Sequence, residues 1–147
     1  MKIHATRLSL LALAGAVSAI VIGASARASA PAGRYTVSGG TIYDTRTKLT
    51  WQQAPATTTY TWDNAKTYCA NSGWRLPRMK ELLTIVDYSG GSPAIDQTYF
   101  PSTPTGPFWT SSPAQGSATL AWYVDFSSGS AFATLTTSTA TYVRCVR

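Results

Sequence analysis

Histidine is almost missing from this chain of 147 residues, and its one copy is His4. Acidic side chains number six and cysteines two. After Ile22 no second long hydrophobic run occurs. Each scarcity excludes something, and the N-terminus decides how much. Lys2 and Arg7 make a basic start, Leu8 to Ile22 is apolar, and Ala24-Ser-Ala-Arg-Ala-Ser-Ala30 offers small residues at alternate positions. That is the layout of a cleaved secretion signal. Cutting after Ala30 would leave Pro31 first, which signal peptidase tolerates poorly, so cleavage is expected after Ala28. Residues 1–28 are thus assigned to the signal and 29–147 to a single domain. The apolar run is short for a membrane span, and no cysteine follows it to carry a lipid. The expected location is secreted or periplasmic, with no stable membrane anchor after cleavage.

Signal removal takes Lys2, Arg7, Arg27 and His4 with it. Nine basic and six acidic side chains remain, a net charge of about +3. A surplus that small is not a nucleic-acid footprint. A mature domain without histidine cannot build a Ser-His-Asp or Cys-His nucleophilic site, nor a His-ligated metal site. Glu81 and Asp125 are the one carboxylate pair that could be imagined in a glycosidase, and the supply of carboxylates is too thin to support it. No catalytic residue, metal or cofactor is expected.

Two cysteines exported together predict a disulfide. Cys69 falls in a helical segment and Cys145 in the last strand. The alternatives are two free thiols or an intermolecular bridge. An internal bridge would close a loop of about 76 residues, which the chain-entropy model values at roughly 4.5 kcal/mol.

Strand patterns occur at Tyr35-Thr-Val37, Thr41-Ile-Tyr43 and Lys48-Leu-Thr-Trp51, with Asp44-Thr-Arg-Thr47 as a turn. Thr61 stands where a helix cap belongs, and Trp62, Ala65, Tyr68 and Cys69 recur at helical spacing. Gly73 suits the helix C-terminus. Pro77 suits the first turn of a second helix, with Met79, Leu82, Leu83 and Val86 as its stripe. Tyr88 to Pro107 reads as a long Gly/Pro-punctuated loop. Strand signals resume at Phe108–Ser112, Thr119–Phe126, Ala131–Thr136 and Thr141–Arg147, which together read as an antiparallel meander. If Cys145 points inward, so does Val143, while Tyr142 and Arg144 face away.

These segments carry a resemblance. Thr61-Trp62, Ala65 and Cys69 in a helix, with Cys145 in a closing strand, resemble the C-type lectin-like fold, which joins its first helix to its last strand by this disulfide. Thr41 to Trp51, Gly73-Trp-Arg-Leu-Pro-Arg-Met-Lys-Glu-Leu82, Phe108-Trp-Thr-Ser-Ser112, Ala121-Trp-Tyr-Val-Asp-Phe126 and Tyr142-Val-Arg-Cys145 narrow it. In that order they resemble the bacterial family typified by the C-terminal domain of the Legionella collagen-like adhesin, similar in fold to formylglycine-generating enzymes. The resemblance implies an α+β, C-type lectin-like fold: an antiparallel sheet, two helices, a long loop and one disulfide. It also implies adhesion to sulfated polysaccharide. It brings no calcium site. Sugar-binding lectins use Glu-Pro-Asn or Gln-Pro-Asp and Trp-Asn-Asp, where this chain has Ser92-Pro93-Ala94, Ser102-Thr-Pro104-Thr105 and Thr139-Ala-Thr-Tyr142. The copper-binding cysteine pair of the formylglycine enzymes has no counterpart either.

Ligand-binding candidates follow from charge and aromaticity. Arg75, Arg78 and Lys80 cluster around Pro77, near a helix N-terminus that would favour anions. The plainer alternative is a structural ion pair from Arg75 to Glu81 or Asp87. Arg144 and Arg147 form a second basic group. Tyr99, Phe100 and Tyr123 are the candidates for an exposed aromatic surface, most of the five tryptophans being expected in the core. The sequence therefore predicts a non-enzymatic binding module, a carbohydrate-binding adhesin. Its expected partner is a sulfated or acidic polysaccharide or a surface protein, and a homo-oligomer would supply affinity. The rival reading is a protein-recognition or structural subunit of a cell-envelope assembly.

Overall fold

Residues 30–147 are described by a computed structural model. The expected signal peptide, 1–28, lies outside the described residues. Strands Tyr35–Ser38 (β1), Thr41–Asp44 (β2) and Thr50–Gln52 (β3) form one antiparallel sheet in that order. Gly39 and Gly40 supply the two positive φ angles, 53° and 75°, that a tight two-residue hairpin requires. The second turn is built by Asp44. Its Oδ1 accepts the Arg46 N–H at 2.9 Å, and its Oδ2 meets Arg34 at 3.1 Å. Burial pushes the Asp44 carboxyl up, but the bonds from Arg34 and the Arg46 N–H outweigh it and hold it below its ordinary value.

Helix α1 spans Trp62–Asn71 and buries Ala65 and Cys69. Thr61 occupies the cap position, although its side chain makes no capping bond. The helix ends in a Schellman turn. The Trp74 N–H reaches the Cys69 carbonyl at 3.0 Å and the Gly73 N–H reaches Ala70 at 3.0 Å, with Gly73 at φ 72°.

Helix α2 is shorter than its apolar stripe predicts, Met79–Leu83. Beyond it the N–H groups of Ile85 and Val86 bond three residues back, at 3.3 Å each, so the stripe continues as tight turns. Leu82 and Ile85 still reach the core. Pro77 lies just before the cap residue Arg78 rather than inside the first turn.

The second sheet holds Pro107–Pro113 (β4), Leu120–Asp125 (β5) and Ser130–Leu135 (β6), antiparallel and in that order. The sequence suggested one sheet; there are two, and residues 141–147 explain why. They do not extend the meander beyond β6. They run between the sheets as isolated bridges, Trp51 with Val146 and Arg75 with Val146 on one side, Phe108 with Tyr142 (parallel) on the other. Thr50 and Arg147 exchange bonds of 2.8 and 2.9 Å, and the Trp109 N–H reaches the Tyr142 carbonyl at 3.0 Å. The terminal segment thus satisfies backbone groups of both sheets at once.

Two cores follow. Ile42, Trp51, Leu82, Ile85, Phe108 and Phe126 belong to one. Ala65, Leu76, Trp109, Val143 and the Cys69–Cys145 disulfide belong to the other. The intramolecular bridge is formed, and among the described residues there is no free cysteine. The fold is α+β, with the first helix fastened to the closing segment.

Candidate functional site

Between α1 and the chain leading into α2 runs a groove of about 600 Å³. Lys66 and Ala70 come from α1, one turn apart on one face. Trp74, Arg75, Leu76 and Arg78 come from the connection, and Glu81 and Ser111 complete the wall. The connection is rigid for local reasons: the Schellman turn fixes its start, and Arg75 and Val146 exchange backbone bonds of 3.0 and 2.9 Å.

The electrostatics are partly neutralised. Arg75 makes a bidentate pair with Glu81, 2.7 and 2.8 Å. The bond to Glu81 raises the Arg75 guanidinium further above its already high value. Burial pushes the Glu81 carboxyl up, yet the bonds from Arg75 and the Arg78 N–H together hold it below its ordinary value. Lys66 meets Asp63 at 2.8 Å and lies over the Trp62 ring at 3.6 Å. The Arg147 guanidinium covers Trp74 at 4.4 Å. Four cationic side chains, Lys66, Arg75, Arg78 and Arg147, thus face two carboxylates, Asp63 and Glu81.

The helix N-terminus adds nothing to this charge. The Arg78 N–H is taken by Glu81 Oε2 at 2.8 Å and the Met79 N–H by Ser112 Oγ at 3.1 Å. A protein carboxylate already holds the place foreseen for an external anion.

The other predicted residues divide sharply. Lys80 is exposed but outside the groove wall. Arg144 is not a surface residue: its relative exposure is 0 %. It does point away from Cys145, but that side is covered. Its guanidinium donates to the Gln52 carbonyl at 2.8 Å, to the Gln53 carbonyl and to Thr103 Oγ1 at 2.6 Å, beneath the Phe100 ring. Burial pushes Arg144 down to about 9, which leaves it charged at neutral pH. Phe100 is also fully buried, edge-on to Tyr35 with centroids 5.2 Å apart. Tyr99 is half-buried against the same Tyr35 ring at 5.0 Å. Tyr123 is wedged between Trp109 and Phe132. The expected aromatic surface is therefore mostly packing.

The groove residues that sequence reasoning missed are Lys66 and Trp74. Lys66 stands four residues before Ala70 on a helix already recognised, so helical periodicity could have found it. Trp74 belongs to the tryptophans expected in the core, yet it is half-buried and lines the groove.

No cluster of three or more His, Cys, Asp or Glu among the described residues could hold a metal. Asp87 Oδ1 accepts the Ser89 N–H at 2.9 Å. Asp96 accepts the N–H groups of Ala30 and Thr98, at 2.8 and 2.9 Å. Both carboxylates that flank the long loop thus organise turns.

The pattern described as the Lcl C-terminal domain matches residues 40–147, well over half of the chain. The chain belongs to the Lcl C-terminal domain family. The match begins after β1 and takes in β2 to β6, both helices and both cysteines. It makes the chain an adhesin-like module. No curated protein matches it.

Proposed function

We propose that the chain is an exported, non-enzymatic adhesion module that binds sulfated or acidic polysaccharide along the groove between α1 and Arg78. The observation that carries this reading is the pairing of surplus positive charge with an aromatic floor. Arg78 and Arg147 make no ion pair among the described residues, and Trp74 lines the groove with the Arg147 guanidinium over its ring. Guanidinium groups suit sulfate and carboxylate geometrically, and an indole suits the apolar face of a sugar ring. A catalytic role is disfavoured by chemistry on the same wall. Glu81 is held ionised by Arg75, the reverse of what a general acid requires.

Exposed, screened contacts contribute roughly 0.2–1 kcal/mol each, so one module binds weakly. Useful affinity then comes from several modules acting together, in an oligomer or by repeated display on a surface. The test is heparin titration at two salt concentrations against wild type, Arg78→Glu and Lys80→Glu. The expected outcome is salt-sensitive binding, weakened about fivefold by Arg78→Glu and much less by Lys80→Glu. Equal affinity for wild type and Arg78→Glu would exclude the groove.

A second reading has one observation in its favour. β6 is a sheet edge, exposes Phe132 and Leu135, and lies in a stretch from Phe126 to Val143 without a charged residue. Edges are usually guarded by charge. Recognition of a surface protein by strand addition would use this edge, and binding to no polysaccharide would move the assignment there.

A further inference from the structure

A second groove borders α1 on another face. Its volume is about 350 Å³ and its walls are Tyr60, Asn64, Thr67, Tyr68 and Asn71. The four helical residues fall at i, i+3, i+4 and i+7, so the helix presents them together. Lys66 and Ala70, which line the basic groove, lie roughly a third of a turn away. Tyr60 enters from the preceding segment and is fixed there. It exchanges backbone bonds with Thr141, 2.9 and 3.0 Å, and its carbonyl accepts the Trp109 indole N–H at 2.8 Å. Its ring packs on Tyr68, with centroids 4.9 Å apart and planes 31° apart.

The chemistry of this wall differs from that of the basic groove. No charged side chain lines it. Among the described residues, neither phenol hydroxyl and neither amide side chain, Asn64 or Asn71, bonds to another protein group. Phenols and amides both donate and accept. A ligand surface that also does both at closely spaced points, and that has an apolar face for the tyrosine pair, is a hydroxyl-bearing pyranose ring. A sulfated or carboxylated sugar would meet no cation here. A nucleic acid would lack the cations its phosphates require.

We propose that this groove is a second saccharide site, specific for uncharged sugar rings and separate from the basic groove. It goes beyond the adhesion reading, because it does not depend on sulfate recognition. An adhesion module with both sites would engage a mixed polysaccharide on two faces of one helix, charge on one side and hydroxyls on the other.

The experiment is a titration of the ¹⁵N-labelled domain, 29–147, with maltohexaose, cellohexaose and chitohexaose, followed by NMR. At least one should give saturable shifts at the Asn64 and Asn71 side-chain amides and at residues 60–71. Asn64→Ala/Asn71→Ala changes two exposed positions, so it tests the site without disturbing packing. It should weaken binding about tenfold, the loss expected for two hydrogen bonds. Tyr68→Ala should abolish the shifts. The proposal is overturned if none of the three sugars moves these amides, if the double variant binds as wild type does, or if the shifts fall at Lys66, Trp74 and Arg78 instead. Excess heparin should leave the sugar-induced shifts in place; displacement would merge the two sites and also overturn it. Heparin that fails to bind at all counts against the basic groove alone.

Discussion

Arg144→Met separates a structural arginine from a ligand-binding one. Methionine keeps most of the stem's bulk and removes the guanidinium. In the wild type that group is fully buried and satisfies the Gln52 and Gln53 carbonyls and the Thr103 hydroxyl. Hydrogen bonds from a charged donor contribute about 1.5–3 kcal/mol each. Against them stands the desolvation of the charge, several kcal/mol, and an Arg144 Nε with no partner. The substitution relieves the second while taking the donor from the Gln52 and Gln53 carbonyls, at about 1–3 kcal/mol per unsatisfied group; Thr103 keeps its bond to the Phe100 carbonyl. The balance is a loss of about 2–4 kcal/mol. For a domain of this size that lowers Tm by roughly 8–16 °C. The assay is thermal unfolding by circular dichroism beside heparin titration at a temperature where both proteins are folded. Affinity should be unchanged, because Arg144 lines neither groove. A Tm within about 2 °C of wild type would refute the clamp, and a fall in affinity with unchanged Tm would return Arg144 to the surface.

Replacing both cysteines, Cys69→Ala/Cys145→Ala, should cost about 2–5 kcal/mol, in line with a bridge between residues 76 apart; equal melting temperatures would contradict it. Intact mass should rise by about 2 Da on reduction, as one bridge requires. Glu81→Gln should change the acid limb of stability. The folded Glu81 lies below its ordinary 4.5, so its contribution is complete above that pH and is lost as pH falls through the folded value. The Gln variant should lack that portion of the decline, and identical acid profiles would argue against the Arg75 pair. EDTA should leave Tm unchanged, since no metal-holding cluster occurs among the described residues; a rise of several degrees with calcium would reveal a site built from loop carbonyls.

The helix and strand signals that proved legible are those where periodicity and local chemistry agree. Ala65 and Cys69 lie inward at helical spacing, Gly73 closes the helix, and Asp44 turns the chain. The failures have a common cause. Alternation says that Arg144 faces away from Cys145, but not that the far side is roofed by Phe100 and Thr103 from a distant loop. Loops ordinarily run over the surface, and the prolines and glycines of this one break every period. Its punctuation instead folds it back, and Ile95 and Phe100 enter the core. The Gly39-Gly40 dipeptide is by itself a hairpin signal. The Tyr60–Tyr68 pair was not visible, because Tyr60 lies outside the helix and reaches Tyr68 only through its bonds to Thr141.

The two grooves and the staple belong to one construction. The Cys145 neighbourhood supplies the Arg75–Val146 bridge that fixes the groove's connection and places Arg147 over Trp74. A few residues earlier, Thr141 holds Tyr60 in place beside α1. The closing segment therefore sets one wall residue in each groove, while the disulfide ties it to the helix between them. Cations on loops would lose orientation at each turn of a free chain. Here both grooves are referred to the same ten-residue helix. A fold with few charges can thus keep those it has in register, which suits weak contacts that act only in concert.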